Sequence, residues 1–230
     1  MGRKRRRESA ESARRAGEVI SQPLLGAAPW CLRVVTDGSC HVHGLSHATT
    51  IYEKDVELQP DALDRIRAEA CHFYPGEGHV VGRGLTPGMA ELVGILMGLH
   101  GIIGMHFFNE VDIAIARVGG EPRLGRVNLW NKVLRVDTDS RNSRRYFMEN
   151  TAPLFYLQPL VDEILRVAVT VKSLGFTRID YVPPPEPRVQ HHRCHLLANS
   201  CASIGRPLFP EDLRIAQLLD DCQRLRLNLH

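Results

Sequence analysis

The densest concentration of metal-binding side chains in this sequence is His191-His192-Arg193-Cys194-His195, followed by Cys201. Imidazoles and thiolates are ligands that zinc accepts, so His191, His192, Cys194, His195 and Cys201 form a candidate zinc set. The cysteine spacing fits poorly. Structural zinc sites pair ligands within one tight turn, as in C-x2-4-C, whereas six residues separate Cys194 from Cys201. The competing reading is an exposed histidine-rich turn that carries a buried small thiol.

Other clusters carry less. Gly82-Arg83-Gly84 with Gly88 has the look of a phosphate loop, but Pro87 falls inside it, the glycine spacing departs from G-x-G-x-x-G, and no Walker lysine follows. A tight backbone approach explains those glycines better. His41, His43 and His47 near Asp37 could bind a metal or move protons, yet no G-x-S-x-G, H-E-x-x-H or Cys-His arrangement specifies a reaction. Glu110 and Asp112 flank an expected turn, where acidic residues are common. No catalytic residue is assigned, and the expectation is a binding or structural protein rather than an enzyme.

The basic residues suggest a partner. Lysine occurs only at positions 4, 54, 132 and 172 among the 29 lysines and arginines, and the net charge is +3. Guanidinium forks onto phosphates and stacks on bases, which suits an RNA surface, although base composition of the genome can also replace Lys by Arg. The expected RNA contacts are Arg3, Lys4, Arg5, Arg6, Arg7, Arg14 and Arg15 in an amino-terminal arm, with Arg141, Arg144 and Arg145 in a second cluster. The amino terminus also admits a nuclear-type basic signal or a degraded mitochondrial presequence; the arm is preferred, because transit peptides avoid acids such as Glu8 and Glu11.

These groups must be positioned by ordered elements, and 230 residues with 43% hydrophobic and 24% charged content can build a core. Six irregularly spaced cysteines without a secretory leader imply free thiols in a reducing, intracellular compartment. The richest apolar stretch, Met89 to Ile103, is broken by Gly94, Gly98, His100 and Gly101, so no membrane partner is expected. Pattern and turn residues predict a strand over 30–36 closed by Asp37-Gly38, a loop or irregular strand over 39–50, a helix over 61–70 and a short strand over 71–74. A helix then runs from Thr86-Pro87 to Gly101, followed by a hairpin of strands over 103–108 and 111–116 and a helix over 128–136. Farther on come a polar loop over 137–145, a helix from about 154 to 171 ended by Gly175, a strand over 177–182, a stiff Pro183-to-Pro187 segment and a last helix from Pro210. No internal repeat is found. The fold class is α/β (α+β): a small sheet with a hairpin packed by two or more helices, with extensions at both ends.

Residues 58 to 136 resemble the amino-terminal domain of the Nfu/NifU-type iron-sulfur scaffold family. The resemblance rests on Leu58-Gln-Pro-Asp-Ala-Leu63, His72-Phe-Tyr-Pro-Gly76, Met89-Ala-Glu-Leu-Val93 through His100-Gly-Ile-Ile-Gly-Met-His-Phe-Phe108, then Val111-Asp-Ile-Ala-Ile115 and Trp130. That family holds its cluster on a C-x-x-C pair in a separate domain, and no two cysteines here have that spacing, so the resemblance implies a docking module without a cluster of its own. The division expected is a basic arm (1–27), an Nfu-like α/β domain (28–138), an Arg-rich linker (139–152) and a helical extension with a Pro-rich segment (153–230). The expected function is a non-enzymatic protein of an organellar ribonucleoprotein, such as the mitochondrial ribosome, docking on rRNA and neighbouring proteins. The alternative is an accessory factor in iron-sulfur delivery. No cofactor is expected beyond the zinc considered above.

Overall fold

The computed structural model describes residues 30–55, 65–75, 84–117, 133–201 and 210–228. In chain order these form β1 (Trp30–His41), β2 (Gly44–Asp55), β3 (Arg65–Pro75), α1 (Pro87–Arg117), β4 (Val133–Asp137) and α2 (Arg141–Met148). A 3-10 turn over Phe155–Leu157 then leads into α3 (Gln158–Ser173), followed by β5 (Arg178–Val182), α4 (Val189–Ser200) and α5 (Pro210–Leu227). The strands make one sheet in the order β3-β2-β1-β4-β5. β2 runs antiparallel to both β1 and β3, whereas β4 runs parallel to β1 and β5 parallel to β4. The expected α/β class is therefore the observed one, as a mixed sheet packed by helices.

Period-two alternation sorts β1 onto two faces. Leu32 and Val34 join the large core with α1, α3 and α5, while Val35 joins Ala48 and Tyr52 under Cys194 and Ala198 of α4. Close approach of α1 depends on glycine. A Cβ on Gly98 would stand 2.5 Å from Val34 Cγ1, and one on Gly101 would stand 2.8 Å from Ile51 Cδ1. The apolar stretch Pro87–Phe108 within α1 is long enough by composition to cross a bilayer, with 56% of it buried in the protein.

Several expected elements are corrected. Thr86 does cap α1, accepting from the Met89 amide at 3.2 Å, but the helix passes Gly101 and runs to Arg117, so the hairpin over 103–116 is helix. Gly101 fits the helix to the sheet rather than ending it, and β-branched residues extend an established helix at a cost of a few tenths of a kcal/mol each, about 0.5. The Nfu/NifU resemblance falls with that hairpin, because the strands expected over 103–108 and 111–116, within the segments that carry it, are both helical. Residues 65–70, expected in a helix, pair with β2; the ladder decides between two patterns that their apolar spacing allows equally. The helix expected over 128–136 is strand β4 from Val133, paired on both sides, with 128–132 outside the described residues. The polar loop over 137–145 instead contains the start of α2, capped by Ser140. β1 continues past Asp37-Gly38 to His41 and turns at Val42-His43. The helix from 154, the strand near 178–182 and the helix from Pro210 stand as α3, β5 and α5.

Candidate metal centre

A short repeat, passed over in the sequence, builds the site. Leu32-Arg-Val-Val-Thr-Asp37 in β1 and Leu134-Arg-Val-Asp-Thr-Asp139 around β4 share five of six residues. The two strands pair in parallel in that same register, Arg33 with Arg135 and Val35 with Asp137. Asp37 and Asp139 therefore stand side by side just past the carboxyl end of the parallel β1–β4 ladder. The chain departs in opposite directions from β1 and β4 across the sheet, a switch point where open α/β sheets place their ligands.

The strand segments that carry them are tied down by their neighbours. Asp139 lies between Thr138, whose amide donates to Val182 O at 3.0 Å, and Ser140, whose hydroxyl accepts from the Ser143 amide at 3.3 Å to cap α2. Two residues earlier, Asp137 receives Arg33 Nε at 2.8 Å and the Tyr52 hydroxyl at 2.9 Å, and it also bonds Arg33 Nη2. That buried network ties β1, β2 and β4 together beneath the site. Glu91 comes from α1, and Gly38 lets it approach: a Cβ there would lie 2.3 Å from the Ala90 carbonyl carbon and 2.5 Å from the Glu91 nitrogen. The Gly38 amide in turn donates to the Glu91 carboxylate.

From the other face, α4 presents His191, His195 and Asn199 four residues apart on one stripe. His191 Nε2 stands 3.7 Å from Asp37 Oδ1 and 3.6 Å from Asp139 Oδ2, ion-pair separations too long for hydrogen bonds. His195 Nδ1 is bonded to Asp37 Oδ2 at 2.9 Å. Asp37 is 4% exposed and His191 12%, while Asp139 is 44% exposed and opens the cluster to solvent.

The charges strain against burial. Desolvation pushes the Glu91 carboxyl up to about 9, reinforced by Asp139 and Asp37 and opposed only by the Gly38 amide. Burial also raises Asp37 against the pull of His195 and His191. His191 holds Asp139 below the usual carboxylate range, and Asp139 raises His191 in return, against the opposing effect of its burial. Such a site is short of positive charge. Glu91 Oε2 and His191 Nε2 are both buried without a hydrogen-bond partner. One ligand atom each from Asp37, Asp139 and His191 lies within 4.8 Å of the others. Oxygen donors with one imidazole are a donor set for a hard or borderline divalent cation such as Mg2+ or Mn2+, and the two orphaned atoms fit that occupant.

The residues singled out in the sequence are only partly gathered here. His191 and His195 join the cluster from a helix, not from a surface turn, while His192 is exposed. Cys194 is buried under β1 with its Sγ donating to Val35 O at 3.7 Å, burial pushes its thiol up, and Cys201 is also buried. His41 bonds Ser46 at 2.8 Å and His47 stacks on Tyr74, both on the hairpin side of the sheet. Arg141 is exposed in the first turn of α2, Arg145 pairs with Glu149 at 3.3 Å, and Arg144 Nε is buried. Arg3, Lys4, Arg5, Arg6, Arg7, Arg14 and Arg15 lie outside the described residues. Glu91 and Asp139 were missed, although the Leu-Arg-Val-x-Thr-Asp repeat and the four-residue spacing of His191, His195 and Asn199 could have exposed the site.

No protein-family profile matches the chain. No curated protein matches it either. Solved structures do resemble it. The N-terminal RNase H domain of a Mycobacterium tuberculosis protein is 16% identical with a TM-score of 0.44, over 74% of this chain and 94% of that one. The RNase H1 of Halobacterium salinarum is 16% identical with a TM-score of 0.39, over 74% and 96%. An RNase H1 isolated from compost by a metagenomic approach is 12% identical with a TM-score of 0.45, over 75% and 95%. Likeness at this level leaves the chemistry to be read from the residues. The expectations of a non-enzymatic protein of the mitochondrial ribosome and of an iron-sulfur accessory factor are both corrected. They rested on the Nfu/NifU resemblance, which the continuous α1 removes, and on the lack of any site for chemistry, whereas Asp37, Asp139 and His191 form a cluster that could hold a metal ion.

Proposed function

We propose that this protein is a divalent-cation-dependent hydrolase of phosphodiester bonds in nucleic acid. The observation that carries this reading is the cluster itself: Asp37, Asp139 and His191 converge within 4.8 Å, beside a Glu91 carboxyl too buried to stay ionised alone. Asp37, Asp139 and His191 would hold the cation, with Glu91 completing the set as it gives up its proton. A cation there supplies Lewis-acid polarisation of the phosphoryl oxygens and offsets the charge that develops on them.

The chain's own groups orient the substrate. Asp139, the exposed carboxylate, opens the cluster to a phosphate arriving from solvent, and Arg141, exposed two residues on, can fork onto phosphoryl oxygens. Hydrolysis adds one water across one P–O bond, with a new O–P bond forming, the ester P–O bond breaking and the proton passing to the leaving alcohol. The Arg-rich basic complement suits a polyanionic substrate better than a small phosphate ester.

The test offers labelled RNA, DNA and RNA/DNA hybrid, the last being the ligand of one solved RNase H1 complex, with Mn2+, Mg2+, Zn2+ or chelator. Cation-dependent cleavage that falls to background in Asp37→Asn and Asp139→Asn supports the proposal. Cleavage that persists in chelator, or in both variants, refutes it.

A further inference from the structure

Asp37 is gripped on one oxygen by a second line of side chains that cation binding does not itself require. β1 offers Asp37 and Ser39 on one face, about 6.7 Å apart for two residues of strand. α4 offers His195 and Asn199, about 6 Å apart for four residues of helix. These repeats match, so His195 meets Asp37 while Asn199 meets Ser39: His195 Nδ1 to Asp37 Oδ2 is 2.9 Å, Asn199 Nδ2 to His195 Nε2 is 2.9 Å, and Ser39 Oγ to Asn199 Oδ1 is 2.8 Å.

The sense of these bonds is consistent from end to end. An ionised carboxylate only accepts, so His195 Nδ1 carries a proton and donates it. Asn199 Nδ2, which can only donate, meets Nε2 and so fixes the orientation of the ring. Ser39 donates to the amide oxygen and fixes which way Asn199 faces.

We propose that His195, locked by Asn199 and Ser39, is the positioning residue of the metal centre, holding Asp37 Oδ2 so that Asp37 Oδ1 is turned toward His191 and the cation. The inference rests on the hydrolase reading above but concerns affinity and orientation rather than the chemical step. Partners that orient metal ligands typically govern cation affinity by about 10- to 100-fold. Asparagine at 195 would place its amide Nδ2 close to the imidazole Nδ1 position, whereas glutamine carries its donor farther out.

Mn2+ binding to the full chain, followed by electron paramagnetic resonance, tests this without reference to turnover. The expectation is a dissociation constant about 10- to 100-fold weaker in His195→Ala and His195→Gln, restored toward wild type in His195→Asn. If wild type binds Mn2+, Asp37→Asn does not, and His195→Ala binds like wild type, the positioning role is overturned while the metal centre stands. If wild type binds no Mn2+, both fall. Equal weakening in the alanine and asparagine variants would also overturn the role, because the Nδ1–H donor would then not be what matters.

Discussion

Replacing Glu91 by glutamine should stabilise the cation-free protein at neutral pH while abolishing its cation binding. In the unfolded chain Glu91 ionises near 4.5, but in the folded protein desolvation, then Asp139 and Asp37, keep it protonated up to about 9. Between those values unfolding releases a proton, so the folded state binds more protons and stability falls as pH rises, by about 1.4 kcal/mol per pH unit. The favourable contribution is fully present below 4.5 and is lost progressively towards 9. At pH 7 the accumulated loss reaches about 3 kcal/mol, and glutamine, which has no proton to lose, avoids it. Urea denaturation of wild type and Glu91→Gln in chelator, at intervals from about pH 5 to 8, should show a stability difference that grows with pH. Adding Mn2+ should then raise the wild-type midpoint through linkage and leave the variant unmoved. A difference independent of pH, or a variant less stable than wild type at neutral pH, would refute the picture of a carboxyl held neutral by burial.

Three further outcomes follow from the same geometry. Arg33→Ala leaves Asp137 buried without its guanidinium and should cost about 3–5 kcal/mol in urea or thermal unfolding, whereas replacing both residues by apolar ones should recover most of that loss. Because Asp139 raises His191, and a ligating imidazole must be neutral, cation affinity measured by calorimetry should weaken as pH falls through that raised value, and His191→Asn should flatten this dependence. Gly38→Ala forces a methyl to 2.3 Å from the Ala90 carbonyl carbon, so it should destabilise by about 1–3 kcal/mol and weaken Mn2+ binding by displacing Glu91.

Much of the scaffold was legible because it depends on local rules. Thr86-Pro87 announced the start of α1, the spacing from Leu154 to Val171 announced α3, and Pro210 opened α5. Where the pattern misled, partners chosen from elsewhere in the chain decided the outcome. Residues 65–70 could satisfy either period until β2 took them into its ladder, and the Ile- and Val-rich run after Gly101 stayed helical as the continuation of a helix already seated on the sheet.

The candidate site divides in the same way. Sequence alone determined its ingredients: two copies of Leu-Arg-Val-x-Thr-Asp, a glycine after the first, and a histidine pair with Asn199 at helical spacing. Tertiary structure decided that they belong together, since the register of β1 against β4 sets Asp37 beside Asp139, and Gly38 admits Glu91 from a helix more than fifty residues along the chain. Only the fold could supply the burial that raises Glu91 and Asp37, because desolvation is a property of surroundings assembled from distant segments, while a residue's type and spacing are fixed by the chain itself.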